Sequence, residues 1–402
     1  MFIAQLGRQP ELSLAELAAV FGTDAVRLIA ADFAAVDTES FSIDILGGTI
    51  KCARIVHESP AGKDDASSFL TASKYITEHY GRAWQSAEGK TTIGLSAYHL
   101  RVSPRTVQKT GILLKGMLKK SGVSLRLIPN DAPALSTATS HNNHLGSSER
   151  KVELIILKTN DRRIIIAESR GVQNITAYTR RDRGKPKRDA FVGMLPPKLA
   201  QIMLNLAIAS SSGDLGGKDT TSHPLCILDP FCGTGTVLQE ALIRGFTVCG
   251  SDLNPKMVNY TITNLDWLQK SNLSTGTILT IREADATNYT WPESARIDAV
   301  VCETYLGQPF SAPPSPAKLK EVVGNCNHII SSFLKNIHPQ LRPGTPLCIA
   351  VPAWLDTGGH FTHLPLIREL ERLGYTKSTS TPLLYHRPEQ VVAREILILK
   401  RK

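Results

Sequence analysis

"CILDPFCGTGTVLQEAL", residues 226–242, decides how this chain folds. The apolar run from Cys226 to Leu228 reads as a buried strand, and it ends on a carboxylate, Asp229. A turn through Gly233 and Gly235 follows, and Thr236–Arg244 then reads as a helix. Glycines at such a turn permit positive φ and let a ligand approach the backbone closely. Outward from here the pattern repeats. "TVCGSD" (247–252) leads into a helix that Asn254 caps, with Pro255 at its first position. "TILTIREAD" (277–285), "DAVVCE" (298–303) and "PLCIAVP" (346–352) are further buried strands. "YTKSTSTPLLY" (375–385) and "VVAREILILK" (391–400) read as two antiparallel strands that close the sheet. Alternating strands and helices imply a mostly parallel sheet with ligands at the strand carboxyl ends.

Four acids stand at four successive strand ends: Asp229, Asp252, Asp285 and Glu303. Asp252 follows Asp229 at the spacing of a ribose-binding acid, whose carboxylate accepts from both hydroxyls. Asp285 is placed to accept from an adenine amine. A dinucleotide fingerprint needs a third glycine, and residue 238 is Leu. A triphosphate needs a G-K-[ST], which the turn lacks. A ligand with ribose and adenine but no phosphates fits better, which points to S-adenosyl-L-methionine.

The rest of the chain sets the context. With 402 residues, 42% hydrophobic and 20% charged, it suits two or three globular domains. No apolar run reaches membrane-spanning length, and the first residues lack the form of a signal peptide. Seven cysteines without a C-x-x-C, several inside strand-like runs, read as buried thiols of a cytoplasmic protein, not as a metal site. The net charge is +10, and residues 101–200 alone hold 20 basic and 7 acidic residues. That quarter carries the whole excess, and such a local field implies a polyanionic partner or a solvated basic face. Its sharpest part is "YTRRDRGKPKR" (178–188), where Gly184 and Pro186 predict an extended connector. Arg180, Arg181, Arg183, Lys185, Lys187 and Arg188 would then form a phosphate-binding strip, the alternative being a solvated linker. Pro196-Pro197 leads a helix with apolar residues from Leu199 to Ile208. Upstream, a small α/β unit occupies residues 1–58, with a helix starting at Ser13 in a capping-box pattern and stopping at Gly22. A second α/β region covers 59–175, where "KVELIILKT" and "RRIIIAESR" form a hairpin.

At these residues the sequence resembles a family. "DPFCGTGT" with "GSDLNPKMV" is similar to the first two motifs of class I methyltransferases that modify exocyclic amines. "YTRRDRGKPKRDAFVGMLPPKLAQIMLNLA" resembles the corresponding segment of THUMP-domain RNA methyltransferases, especially the tRNA guanosine N2-methyltransferases of archaea and eukaryotes. The segment from about 100 to 180 resembles their THUMP region more loosely. The resemblance implies an α/β fold: a Rossmann-like methyltransferase domain at 176–402, mostly parallel with an antiparallel terminal hairpin, preceded by a THUMP-like RNA-binding region. It implies tRNA as the RNA substrate and S-adenosyl-L-methionine as the cofactor. The cofactor-binding set is then Asp229, Phe231, Gly233, Gly235, Asp252, Leu253, Asp285, Ala286 and Glu303.

The last motif departs from the family. Relatives carry Asp-Pro-Pro-Tyr-Gly, and this chain has Glu303-Thr304-Tyr305-Leu306-Gly307. A base amine is a poor nucleophile because its lone pair is delocalised into the ring. A carboxylate that accepts its hydrogens, and an aromatic ring that stacks on the extruded base, make it reactive. By this resemblance the catalytic roles would fall to Glu303, one methylene longer than the family's acid, and to Tyr305, one place before the family's aromatic. Three readings stand open: a shifted but working geometry, a different base or RNA, or an inactive site on a protein that binds tRNA.

Overall fold

The computed structural model describes residues 1–86, 89–189, 194–209 and 224–402. The stretch "SSSGDLGGKDTTSH" (210–223), polar and glycine-rich and so expected to be a surface loop, lies outside the described residues. The chain divides into two compact units, Met1–Thr176 and Ala177–Lys402.

The first unit is one eight-stranded sheet. Its elements are β1 (Phe2–Leu6), α1 (Pro10–Phe21), β2 (Val26–Ala30), β3 (Phe33–Val36), β4 (Thr49–Pro60), α2 (Asp65–Ala83), β5 (Thr91–Tyr98), α3 (Pro104–Lys120), β6 (Leu125–Leu127), α4 (Thr137–Asn142), β7 (Lys151–Lys158) and β8 (Arg163–Val172). The strand order is β2-β3-β1-β4-β8-β7-β5-β6. The boundary expected at 58/59 therefore falls inside β4. This long strand pairs with β1 on one side and β8 on the other, so the two expected N-terminal domains share a single sheet. The β7–β8 hairpin forms as the sequence suggests. Helix α1 begins at Pro10, not Ser13: proline is well suited to a first turn, and Ser13 lies buried inside the helix with its hydroxyl on Gln9 O at 3.0 Å. Gly22, at φ 92°, ends it.

The second unit takes in α5 (Ile175–Arg183) from Ala177 onward, and then α6 (Pro197–Ala209). It continues through β9 (Cys226–Asp229), α7 (Thr236–Ile243), β10 (Thr247–Asp252), α8 (Pro255–Lys270), β11 (Thr277–Glu283), β12 (Ala299–Glu303), α9 (Pro316–Ile337), β13 (Pro346–Leu355), β14 (Phe361–Thr362), β15 (Tyr375–Lys377), β16 (Leu383–Tyr385) and β17 (Val392–Arg401). The order β11-β10-β9-β12-β13 is parallel throughout, and β17 adds antiparallel to β13. The penultimate stretch breaks into β15 and β16, and both pair antiparallel with β17. Helix α9 buries Val322, Cys326, Ile330 and Phe333 against Leu228, Val300 and Cys302, while α6 covers β12, β13 and β17. A parallel sheet needs helices on both faces because its strands are apolar on both. All seven cysteines are buried and free.

The strand order reverses at β9. Its sequence neighbour β10 lies on one side, and β12, two strands later, lies on the other. A crevice opens at such a switch point, beyond the carboxyl ends of the strands.

Candidate active site

A cleft occupies that crevice, lined by Asp229, Phe231, Cys232, Gly233, Thr234, Thr236, Val237, Met257 and Glu303, with Met194 and Leu195. Asp229 closes β9 and is 2% exposed. Its Oδ1 accepts from the Phe231 amide at 3.1 Å. Burial pushes its carboxyl well above the usual range, and the negative charges of Asp252 and Glu303 push the same way, against that hydrogen bond. Phe231 sets its ring edge-on to Phe333 at 5.1 Å, which fixes the start of the turn.

The turn itself needs its glycines. Gly233 (φ 51°) and Gly235 (φ 82°) are left-handed, and a Cβ on Gly235 would stand 3.1 Å from Thr261. Asp252 ties the turn to the next strand: Oδ2 accepts from Gly233 N and Oδ1 from Asn254 N, both at 2.9 Å. Each oxygen keeps a lone pair for a ligand hydroxyl. Leu253 beside it is 67% exposed, an apolar side chain presented at a strand end. Asp285 accepts from the Thr287 amide and hydroxyl through Oδ1 alone. Ala286 belongs to the core cluster, and its carbonyl accepts from Asn336. Gly235, Asp252, Leu253, Asp285, Ala286 and Tyr305 do not line the cleft; Tyr305 stands 45% exposed, two residues after Glu303.

Glu303 lines the cleft and is held by Arg394, whose Nε donates to Oε1. Burial raises the Glu303 carboxyl above its ordinary range, and the guanidinium opposes that rise. Residues 304–308, which directly follow Glu303, hold no proline. They are anchored instead by Thr304, whose amide (3.0 Å) and hydroxyl (2.9 Å) both donate to Ala350 O. Gly307, at φ 83°, turns the chain over Val322.

The basic connector differs most from its expected form. Residues up to Arg183 are helical in α5, because the segment packs onto its own domain. Tyr178 is buried, its hydroxyl donating to Gln201, with Arg181 against its ring at 4.4 Å. Arg181 turns inward to Glu240 at 2.8 Å. Burial pushes the Glu240 carboxyl up to about 7 despite that partner. Lys185 is 3% exposed, with its ammonium on Thr234 and Thr236. Of the six expected phosphate contacts, Arg180, Arg183, Lys187 and Arg188 face solvent and two do not. Asn264 on α8 clamps the connector to the glycine turn, bonding Lys187 N, Lys187 O and Thr234 O, each at 2.9 Å. Of the acids and glycines singled out in the sequence, Asp229, Glu303 and Gly233 line the cleft. Arg394, Thr234, Thr236 and Asn264 carry no local signal and are not among the expected site residues.

A parallel sheet with an antiparallel last strand, a glycine turn after its first strand and acids at the strand ends defines the class I methyltransferase fold. The chain superimposes on the crystal structure of TrmN from Thermus thermophilus with a TM-score of 0.53 and 18% identity, over 100% of this chain and 99% of that one. In sequence it is similar to the tRNA (guanine(10)-N2)-dimethyltransferase of Methanothermobacter thermautotrophicus, 31% identical over 166 residues, 41% of each chain. The enzyme of the same name from Methanocaldococcus jannaschii is 35% identical over 89 residues, 22% of each chain. The aligned stretch thus spans less than half the length of these relatives. No protein-family model matches the chain.

Proposed function

We propose that this protein transfers a methyl group from S-adenosylmethionine to an exocyclic base amine of tRNA, guanine N2 above all. The observation that carries the reading is the cleft at the β9/β12 switch point, where Asp229, Glu303 and the Asp252-bound glycine turn converge. The donor set fits the cofactor. Two carboxyls, one buried and one half-buried, both raised by loss of solvent, favour a cationic ligand, which a sulfonium and an ammonium supply. Gly233 leaves open space where a side chain would stand, with only Phe231 O at 4.0 Å. Asp252 would hold the ribose hydroxyls, Leu253 the adenine face and Asp285, through its second oxygen, the adenine amine. When bound, S-adenosylmethionine supplies an electrophilic methyl on sulfur.

Glu303 then accepts a hydrogen of the base amine, which turns the nitrogen lone pair away from the ring. It takes the proton that the nitrogen loses as the new N–C bond forms. Tyr305, exposed beside it, stacks on the extruded base. The names of the relatives support guanine N2 of tRNA as the acceptor. Free, buried thiols suit a reducing compartment, and we place the protein in the cytoplasm. One observation favours a second reading, a tRNA-binding protein without turnover: Arg394 already occupies the Glu303 carboxylate. Incubating the protein with bulk tRNA and labelled S-adenosylmethionine, then analysing nucleosides by mass spectrometry, separates the two. N2-methylated guanosine is the expected product. Absence of label despite measurable tRNA affinity would establish the second reading.

A further inference from the structure

Helix α3 is apolar on the face it buries and again on part of the face it does not. Val107, Leu114 and Leu118 enter the core of the first unit. Ile112, Leu113 and Met117 stand 57%, 51% and 43% exposed, and Leu70 on α2 is 70% exposed. The two helices lie side by side: the Ser73 and Thr110 hydroxyls meet at 2.8 Å, and a Cβ on Gly81 would stand 2.9 Å from the Met117 methyl. The same α3 carries Arg105, Lys109, Lys115, Lys119 and Lys120, all exposed, and no acid. Gly116 lies among them. Glycine weakens a helix interior, yet a Cβ here would meet nothing within 4 Å, so no neighbour among the described residues requires it. One turn away on either side stand Ile112, Leu113, Lys119 and Lys120. Bare backbone is therefore bounded by two aliphatic chains and two ammonium groups.

The chemistry of this face separates the partners that can cover it. RNA-binding surfaces stack bases on aromatic rings and grip phosphates with arginine forks, whereas α3 exposes no aromatic ring and one arginine. Protein interfaces are depleted in lysine. An anionic bilayer accepts lysine ammonium groups among its head groups while aliphatic side chains enter the acyl boundary, and it demands no complementary shape. We infer that the exposed face of α3, with Leu70 of α2, docks on the surface of an anionic lipid bilayer. Ile112, Leu113 and Met117 enter the acyl boundary, and the four lysines with Arg105 meet the head groups. The inference goes beyond methyl transfer and uses no residue of the cleft.

Co-sedimentation of the full chain with two kinds of vesicle tests it: phosphatidylglycerol mixed equally with phosphatidylcholine, and phosphatidylcholine alone. The protein should pellet with the anionic vesicles, stay in solution with the neutral ones, and be released as salt rises. Two double variants separate the contributions, Ile112→Ser with Leu113→Ser and Lys119→Gln with Lys120→Gln. Each should weaken partition onto the anionic vesicles about tenfold or more. All four side chains are exposed, so neither variant opens the core. Wild type left in solution, equal pelleting with both vesicles, or partition unchanged in either variant overturns the inference. A lysine variant that loses tRNA affinity, in a protein that ignores both vesicles, also overturns it and gives the face to RNA.

Discussion

Glu303 ends β12 with a half-buried carboxylate, raised by loss of solvent and braced by a guanidinium from a strand 91 residues later in the chain. That a carboxylate stands at this strand end could be read from "DAVVCE" alone. Arg394 could not. It reaches Glu303 because β13 pairs parallel with β12 (Glu303 opposite Ala350) and antiparallel with β17 (Pro352 opposite Arg394). Two registers must be known before the contact exists, and no local spacing encodes them. The pair fixes a sign for pH dependence. Glu303 accepts a hydrogen only when ionised; burial raises its pKa and Arg394 holds that rise in check. Arg394→Met should let the pKa climb further, so the acid limb of the turnover–pH profile moves to higher pH. Glu303→Gln should abolish that limb and lower turnover about a hundredfold. A limb that stays in place in Arg394→Met shows that the guanidinium does not govern ionisation there.

At the scale of elements, the loop after β12 explains how a motif without prolines stays ordered. Proline fixes φ but has no amide hydrogen. Thr304 uses its amide and its hydroxyl on the same carbonyl, Ala350 O, so rigidity comes from hydrogen bonds to the neighbouring strand. Introducing the relatives' proline should therefore harm this loop. Thr304→Pro removes the amide bond and leaves a buried carbonyl short of a donor, at a cost of about 2–3 kcal/mol. Thr304→Val keeps the amide and loses only the hydroxyl, about 1 kcal/mol. Chemical denaturation followed by circular dichroism checks both; a proline variant as stable as wild type would refute the hydrogen-bonded account. The regular elements were largely legible, since apolar runs and capping residues are local. The departures share one cause. Ser13 looked like a cap, and 178–188 like an extended linker, because each was read without the surface it packs on. Pro10 starts α1 earlier, and burial of Tyr178 with Arg181 turned to Glu240 draws the connector into α5.

Over the molecule as a whole, the basic excess was visible in composition, but composition counts charges without saying where they point. Two of the six connector cations face inward, one to Glu240 and one to the cleft threonines, and only Arg180, Arg183, Lys187 and Arg188 present charge to solvent. RNA affinity should divide accordingly. Each cation on a phosphate releases counterions, so binding falls linearly on logarithmic axes as salt rises, by about 0.7–0.9 in slope per contact. Replacing the four exposed residues together by alanine should lower the slope by about three and weaken tRNA at low salt, leaving S-adenosylhomocysteine affinity unchanged. Arg181 and Lys185 are kept in this variant because removing either strips a partner from buried groups and confuses folding with binding. Fluorescence anisotropy of labelled tRNA across a salt series reads the slope directly. If the quadruple variant keeps the wild-type slope, the phosphates lie along another part of the basic surface and the connector serves the cleft alone.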